Sequence, residues 1–335
     1  MSAKKIVFLT EPLTSPSTRF RVLQNIPEFT KLNLDIACKV IPKGISDRLR
    51  LFASLPSYDI VILQRKLFQW GVLWYIRKKS KKLIYDFDDA VLYRDSNAST
   101  FHSTSRLRRF RHSLKFADLA IAGNNYLKNI SLRFTKNVVV IPTGINTETY
   151  TPNPQTRVPS PVTIGWIGSA PNLFYLKQLI EPINSLYKIN NKFRLKIVCD
   201  DFIDGFHCPV ENKKWQKDDE IKDIQSFDVG ILPMTDDKWT KGKCALKLLQ
   251  YMSCGLTSIS STSEVTSTII QDGYNGFLAS SVTDWIEKLN IAIENPVKRG
   301  NMGKEARISI MKKYDSQTIV LKYLNVFNHI YNEKI

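Results

Sequence analysis

Short apolar runs recur along the chain, separated by longer stretches in which apolar residues fall three and four apart. Lys5–Thr10, Asp59–Leu63, Lys82–Asp86, Asp118–Ala122 and Val138–Ile141 are runs of four to six residues, a length that suits strands covered on both faces. Between them, Phe20–Leu32 and Leu67–Lys79 carry helical spacing. The alternation predicts βαβ units and a parallel, doubly wound sheet. It stops at Pro142–Pro161, PTGINTETYTPNPQTRVPSP, whose five prolines read as a linker. It then restarts with strands at Val162–Ile167, Arg194–Val198, Asp228–Leu232 and Leu256–Ser260. Helices are expected at Tyr175–Tyr187, Lys243–Ser253 and Val282–Glu294, and in two pieces over 296–335 that divide near Tyr314–Ser316. The fold class is therefore α/β, two Rossmann-like domains facing a cleft. The first spans 1–141, the linker 142–161 and the second 162–313. The last helix, 314–335, is free to pack back on the first domain.

Composition agrees with two packed domains. A chain of 335 residues with 43% hydrophobic residues is too long for one ordinary core and too apolar for disorder. The longest apolar runs fall well short of the roughly 20 residues that span a bilayer, and the N-terminal run is too short for a signal peptide. Five cysteines without a CxxC spacing indicate neither a disulfide framework nor a zinc site, and suit a reducing cytoplasm. The net charge of +17 is unevenly placed, because residues 1–150 hold 25 Lys and Arg against 11 Asp and Glu. Such asymmetry points to an anionic partner for the first half: a membrane surface, a nucleic acid or an acidic polymer. No nucleic-acid-binding module is recognisable, so charge alone supports that class, and a salt-sensitive shift with duplex or single strands would be needed to revive it. A lysine-rich genome is the bland explanation for part of the bias.

Three stretches, in order, resemble glycosyltransferase family 4. Val140–Pro152 (VIPTGINTETYTP) is similar to the family's interdomain segment. Ile164–Ser169 (IGWIGS) is similar to the first strand and turn of its donor domain. Gly242–Ser260 (GKCALKLLQYMSCGLTSIS), followed by Ile269–Ala279 (IIQDGYNGFLA), is similar to its donor-binding helix and the segments after it. The resemblance implies a GT-B fold, an NDP-sugar donor, retention at the anomeric carbon, and no cofactor or essential metal. A cytoplasmic protein that transfers a sugar to a lipid-linked or polysaccharide acceptor during cell-envelope glycan synthesis is therefore expected. The basic first half adds the expectation of peripheral attachment to the inner membrane face. The family has two glutamates eight residues apart that hold the donor sugar and the ribose. Here those positions are Gly242 and Gln250, and the acid before the I-I-x-D-G run is Thr268. A catalytically weak sugar-nucleotide-binding partner subunit is the rival reading that these departures suggest.

The residue chemistry fits such a reaction. A departing nucleoside diphosphate needs cations or helix N-terminal amides when no metal is present. Lys243 and Lys247, four apart, are expected on one face of a helix starting near Gly242; two solvated lysines are the alternative. Gly168 and Ser169 end a strand in a turn where a backbone can approach a phosphate, and Gln250 can bond ribose hydroxyls. In YDFDDA, Asp86, Asp88 and Asp89 are expected at the edge of a sheet. Asp88 and Asp89 are the candidates for orienting an acceptor hydroxyl, and Asp86 and Arg19 for binding acceptor or phosphate. Local capping and ion pairs are the alternative for all four. Leu67–Leu83 places Trp70 and Trp74 four apart before five cations, and the segment from Arg106 to Phe116 surrounds an apolar stripe with Arg106, Arg108, Arg109 and Arg111. These arginines are the membrane-facing candidates. An ordinary helix with a solvated basic face would look the same. His102, His112, His207 and His329 show no ligand or triad spacing.

Overall fold

The computed structural model describes residues 4–153 and 161–332, so the middle of the expected linker, 154–160, lies outside the described residues. The strands are β1 (Lys5–Thr10), β2 (Asp35–Val40), β3 (Ile60–Gln64), β4 (Lys82–Phe87), β5 (Leu119–Ala122), β6 (Val138–Val140), β7 (Val162–Ile167), β8 (Phe193–Cys199), β9 (Val210–Lys214), β10 (Val229–Leu232), β11 (Thr257–Ser261) and β12 (Phe277–Ala279). The helices begin with α1 (Pro16–Arg21), α2 (Ile26–Lys31), α3 (Ile45–Ala53), α4 (Trp70–Lys79), α5 (Thr104–Phe116), α6 (Asn125–Ser131) and α7 (Leu173–Leu176). They continue with α8 (Ile180–Ile189), α9 (Glu220–Gln225), α10 (Leu246–Ser253), α11 (Glu264–Ile269), α12 (Val282–Glu294), α13 (Pro296–Tyr314) and α14 (Ser316–Asn332). Two compact units result. One comprises residues 1–146, 237–244 and 315–335, the other 147–236 and 245–314.

The first unit is a six-stranded parallel sheet in the order β2-β1-β3-β4-β5-β6. Its strands are apolar on both faces because both faces are covered. On β3, Val61 and Leu63 join the core beneath α3, α4 and α5, while Ile60 and Ile62 join the core beneath α2 and α14. Tyr323 of α14 packs edge-on against Phe8 and Phe29, at ring-centroid distances of 6.3 and 5.8 Å.

The second unit is a parallel sheet ordered β12-β11-β10-β7-β8-β9. Val162, Ile164 and Trp166 of β7 enter its main core beneath α8 and α12. The opposite face of the sheet takes two rings so tightly that two strand positions must be glycine. A Cβ at Gly165 would fall 2.0 Å from the Phe227 ring, and one at Gly230 would fall 2.5 Å from Tyr251.

In each sheet the strand order reverses once, between β1 and β3 and between β7 and β10. The crevices outside the carboxyl ends of those strands are where doubly wound sheets bind ligands.

Nine strands lie within two residues of their expected positions, and α12 matches residue for residue. The differences have local causes. The expected helix Phe20–Leu32 is broken into α1, a 3-10 turn and α2, because Pro27 lacks the amide that a continuous helix needs. The expected helix Tyr175–Tyr187 is likewise divided into α7, a 3-10 turn and α8, with Pro182 in the first turn of α8. Strands β2, β9 and β12 have no counterpart in the apolar pattern, and all three are sheet edges. An edge strand buries less and so needs fewer apolar residues.

Candidate functional site

At the β7/β10 crevice of the second unit, β7 ends in Ile167 and the chain turns through Gly168 and Ser169. The Ile167 amide donates to the Tyr251 hydroxyl (3.1 Å), which pins the strand end to α10. Lys247, on the first turn of α10, extends back over this turn. Its Nζ lies 5.6 Å from the Trp166 ring centroid, and a Cβ at Gly168 would meet the Trp166 ring at 2.4 Å and Lys247 Cε at 3.0 Å. Glycine at 168 is what allows the lysine stem, the indole and the turn to share this space. No side chain caps α10, whose N-cap Ala245 sits at φ 52°. A cation here works against the helix dipole and suits a bound anion. Ser169 is exposed beside it, accepting from Asn172 Nδ2 at 2.8 Å.

Lys243 does not share that helix face, which corrects the expectation. The helix begins at Leu246, three residues later than expected, because Ala245 reverses the backbone in the left-handed region and Lys243 is extended at φ −72°, ψ 158°. Lys243 folds instead with the first unit. Its Nζ lies 5.7 Å from the Trp239 ring centroid, and Asn124 Nδ2 donates to the carbonyls of Lys241 (3.0 Å) and Lys243 (3.1 Å). Gly242 presses against Ala90 so closely that a Cβ would fall 2.6 Å from Ala90 Cβ and 2.7 Å from its amide nitrogen. A side chain at this position would force Ala90 and its backbone to move.

Gln250 is buried. Its Nε2 faces Tyr150 Oη and Glu220 Oε1, both at 3.3 Å. Tyr150 donates to the same Glu220 oxygen, and the Trp215 indole donates to Glu220 Oε2 at 3.0 Å. The carboxylate in this part of the unit therefore stands on α9, and Gln250 is one of the groups that hold it. Sequence reading missed Glu220, since nothing in KDDEIKD distinguishes it from its acidic neighbours.

In the first unit the three aspartates after β4 have different surroundings. Asp86 is fully buried and receives a bidentate pair from Arg21, Nε to Oδ2 at 2.7 Å and Nη2 to Oδ1 at 2.6 Å, with Tyr323 Oη 3.4 Å from Oδ2. Burial pushes its carboxyl above the ordinary range, with the guanidinium opposing the shift. Asp88, also buried, accepts from Ser17 Oγ (2.9 Å) and Thr143 Oγ1 (3.4 Å). Asp89 pairs with Arg65 Nη2 at 2.7 Å. Burial raises its carboxyl, opposed by Arg65 and assisted by Asp88, with smaller contributions from Lys243 and Glu11. Arg65 was missed by the sequence reading. It adopts φ 60°, its amide donating to the Asp86 carbonyl at 2.7 Å, a strained geometry of the kind that collects at sites. Arg19 is half-buried, 5.0 Å from the Phe20 ring centroid. Asp89, Arg65 and Lys243 thus form a charged cluster near the crevice between β1 and β3. Among the described residues no group of three or more His, Cys, Asp or Glu is placed to hold a metal ion, and no helix is long and apolar enough to cross a membrane.

Comparison with known proteins fits this geometry. The model of the family "Glycosyl transferases group 1" matches residues 161–295. No curated protein matches the chain by sequence. Among solved structures, sucrose-phosphate synthase from Thermosynechococcus elongatus superposes with a TM-score of 0.76 at 12% identity, over 99% of this chain and 100% of that one. A glycosyltransferase from Rickettsia africae gives 0.73 at 14% identity over the whole of both chains. HepE of Anabaena, solved with UDP and glucose, gives 0.71 at 16% identity over 97% of this chain and 100% of its own. Residues 161–295 thus match the glycosyl transferases group 1 model, and the chain has the GT-B fold.

Proposed function

We propose that this protein transfers a sugar from an NDP-sugar to a lipid-linked or polysaccharide acceptor in cell-envelope glycan synthesis, with retention at the anomeric carbon and without a metal. The observation that carries the reading is the convergence of Lys247 with the Gly168–Ser169 turn at the strand-order reversal of the second unit. A lysine stem held against an indole, beside a helix N-terminus without a side-chain cap, is a fixed cation where a leaving diphosphate needs one. Ser169 and the amides near it contribute hydrogen bonds to the same phosphates. The Trp215, Tyr150, Gln250 and Glu220 group gives the ribose its polar surroundings. Asp89, with Arg65 and Lys243 around it, orients the acceptor hydroxyl, and Asp88, already holding Ser17 and Thr143, fixes the loop beneath it. Asp86 and Arg21 form the buried base of that loop, and Arg19 lies beside it. HepE, a fold neighbour, was also solved with UDP-glucose, which makes uridine nucleotides the first donors to try.

Titration calorimetry with UDP and a panel of NDP-sugars tests the donor half of this reading. Binding is expected for one nucleotide, and its loss in Lys247→Ala with an unchanged melting curve. No heat with any nucleotide overturns the reading. The closed space at Gly242 and the engaged Gln250 favour a second reading, a sugar-nucleotide-binding partner subunit with weak activity. Nucleotide binding without hydrolysis or transfer from any donor would decide for it.

A further inference from the structure

Helices α3, α4 and α5 cover one face of the first unit's sheet, where Phe52, Leu73, Ile76, Phe110 and Leu114 enter a single core. Their outer surface is apolar to an extent that core packing does not explain. Ile45 and Leu49, one turn apart on α3, are 75% and 51% exposed; Trp70 and Trp74, one turn apart on α4, are 55% and 44% exposed. The two indoles stack at 6.5 Å with an interplanar angle of 20°, and Trp70 meets Phe116 at the end of α5 at 6.0 Å. The aromatic pair therefore bridges α4 and α5.

Around these side chains the charge is almost all of one sign. The three helices carry ten Lys and Arg and one acid, Asp47, which lies 3.5 Å from Arg50. Arg108, Arg111 and Lys115, at helical spacing, form the exposed edge of α5. Of the other arginines on this helix, Arg106 donates to the Tyr93 carbonyl at 2.6 Å and Arg109 is half-buried. A nucleic-acid duplex, bound through its phosphates, would need the cations alone. Exposed indoles and aliphatic side chains between cations instead match the boundary of an anionic bilayer, where aromatic rings sit at headgroup level and cations meet lipid phosphates.

We infer that the α3–α4–α5 surface docks on an anionic lipid bilayer, with Ile45, Leu49, Trp70 and Trp74 entering the interface and Arg108, Arg111 and Lys115 meeting the headgroups. This does not rest on the transfer reaction, and an unchanged melting curve checks that each variant is folded.

The test is sedimentation of the full chain with vesicles of phosphatidylcholine alone and with about 30% phosphatidylglycerol. Binding is expected to the anionic vesicles only, and to weaken about tenfold or more between about 0.1 M and 1 M salt, as the screening length falls from about 10 to 3 Å. Trp70→Ser/Trp74→Ser and Arg108→Gln/Arg111→Gln/Lys115→Gln should each reduce it by about tenfold or more. If the variants fold poorly, the wild type still decides, because brominated acyl chains should quench its tryptophan fluorescence. Several results would overturn the inference: equal sedimentation with both vesicles or with neither, variants that bind like wild type, no quenching, or binding to duplex nucleic acid that the tryptophan variant retains. So would a wild-type dimer that the tryptophan variant splits, which would assign the surface to a second copy of the chain.

Discussion

The ammonium of Lys247 lies 5.6 Å from the centre of the Trp166 ring, and the lysine stem crosses the space that any side chain at position 168 would need. Two residues 81 positions apart are thereby fixed at one strand end. A preorganised cation of this kind commonly contributes about 10²-fold or more to a reaction that releases negative charge. Lys247→Ala is therefore expected to lower transfer by about that factor with the fold intact, and a rate within about threefold of wild type would remove Lys247 from the site.

Gln250→Glu would place a second acid beside Glu220 and is expected to harm this protein. A second carboxylate 3.3 Å from Glu220, in a buried position, cannot ionise freely. Its folded pKa is raised, so the folded state binds more protons than the unfolded one above about pH 4, and stability falls as pH rises through that window. A deficit of about 1–3 kcal/mol at neutral pH, shrinking toward acid pH, is the expected denaturation result. A deficit independent of pH would contradict the placement of Gln250.

Arg21 is 1% exposed and gives two hydrogen bonds to a fully buried Asp86. Removing one partner leaves a buried charge without compensation. Arg21→Met is expected to cost about 3–5 kcal/mol, and adding Asp86→Leu should return much of it. Urea unfolding of the two variants checks this, and equal stability of single and double variants would refute the coupling.

At the edge of the second sheet, Lys196 on β8 pairs with Glu211 on β9 at 2.8 Å and holds its carboxyl below the ordinary range. A depressed carboxylate stabilises above its unfolded pKa, and the contribution disappears as pH falls through the folded value. Glu211 is partly exposed, so Glu211→Gln should cost no more than about 1 kcal/mol at pH 7. The two proteins should melt alike near pH 2, and a difference that grew in acid would reverse the sign of the argument.

The proposed metal-free transfer predicts turnover that persists in excess EDTA. Activity lost to the chelator and restored by magnesium or manganese would shift attention to Asp86, Asp88 and Asp89.

Most of the α/β alternation was legible in the sequence, because a strand buried on both faces must be apolar at successive positions. The turn at Gly168 could be read for a similarly local reason, because glycine is favoured where a backbone turns tightly. What the residues near the site do was not legible. That Ala90 lies against Gly242, and that Gln250 donates to Glu220, cannot be read from the sequence. Lys243 and Lys247 are four apart in sequence, yet a single left-handed residue, Ala245, sends them to different units. Strand and helix periods are properties of neighbouring residues, so a linear pattern determines them. Which carboxylate is buried, which cation it meets and which position has no room are settled by segments far apart in the chain, and only the tertiary structure brings those together.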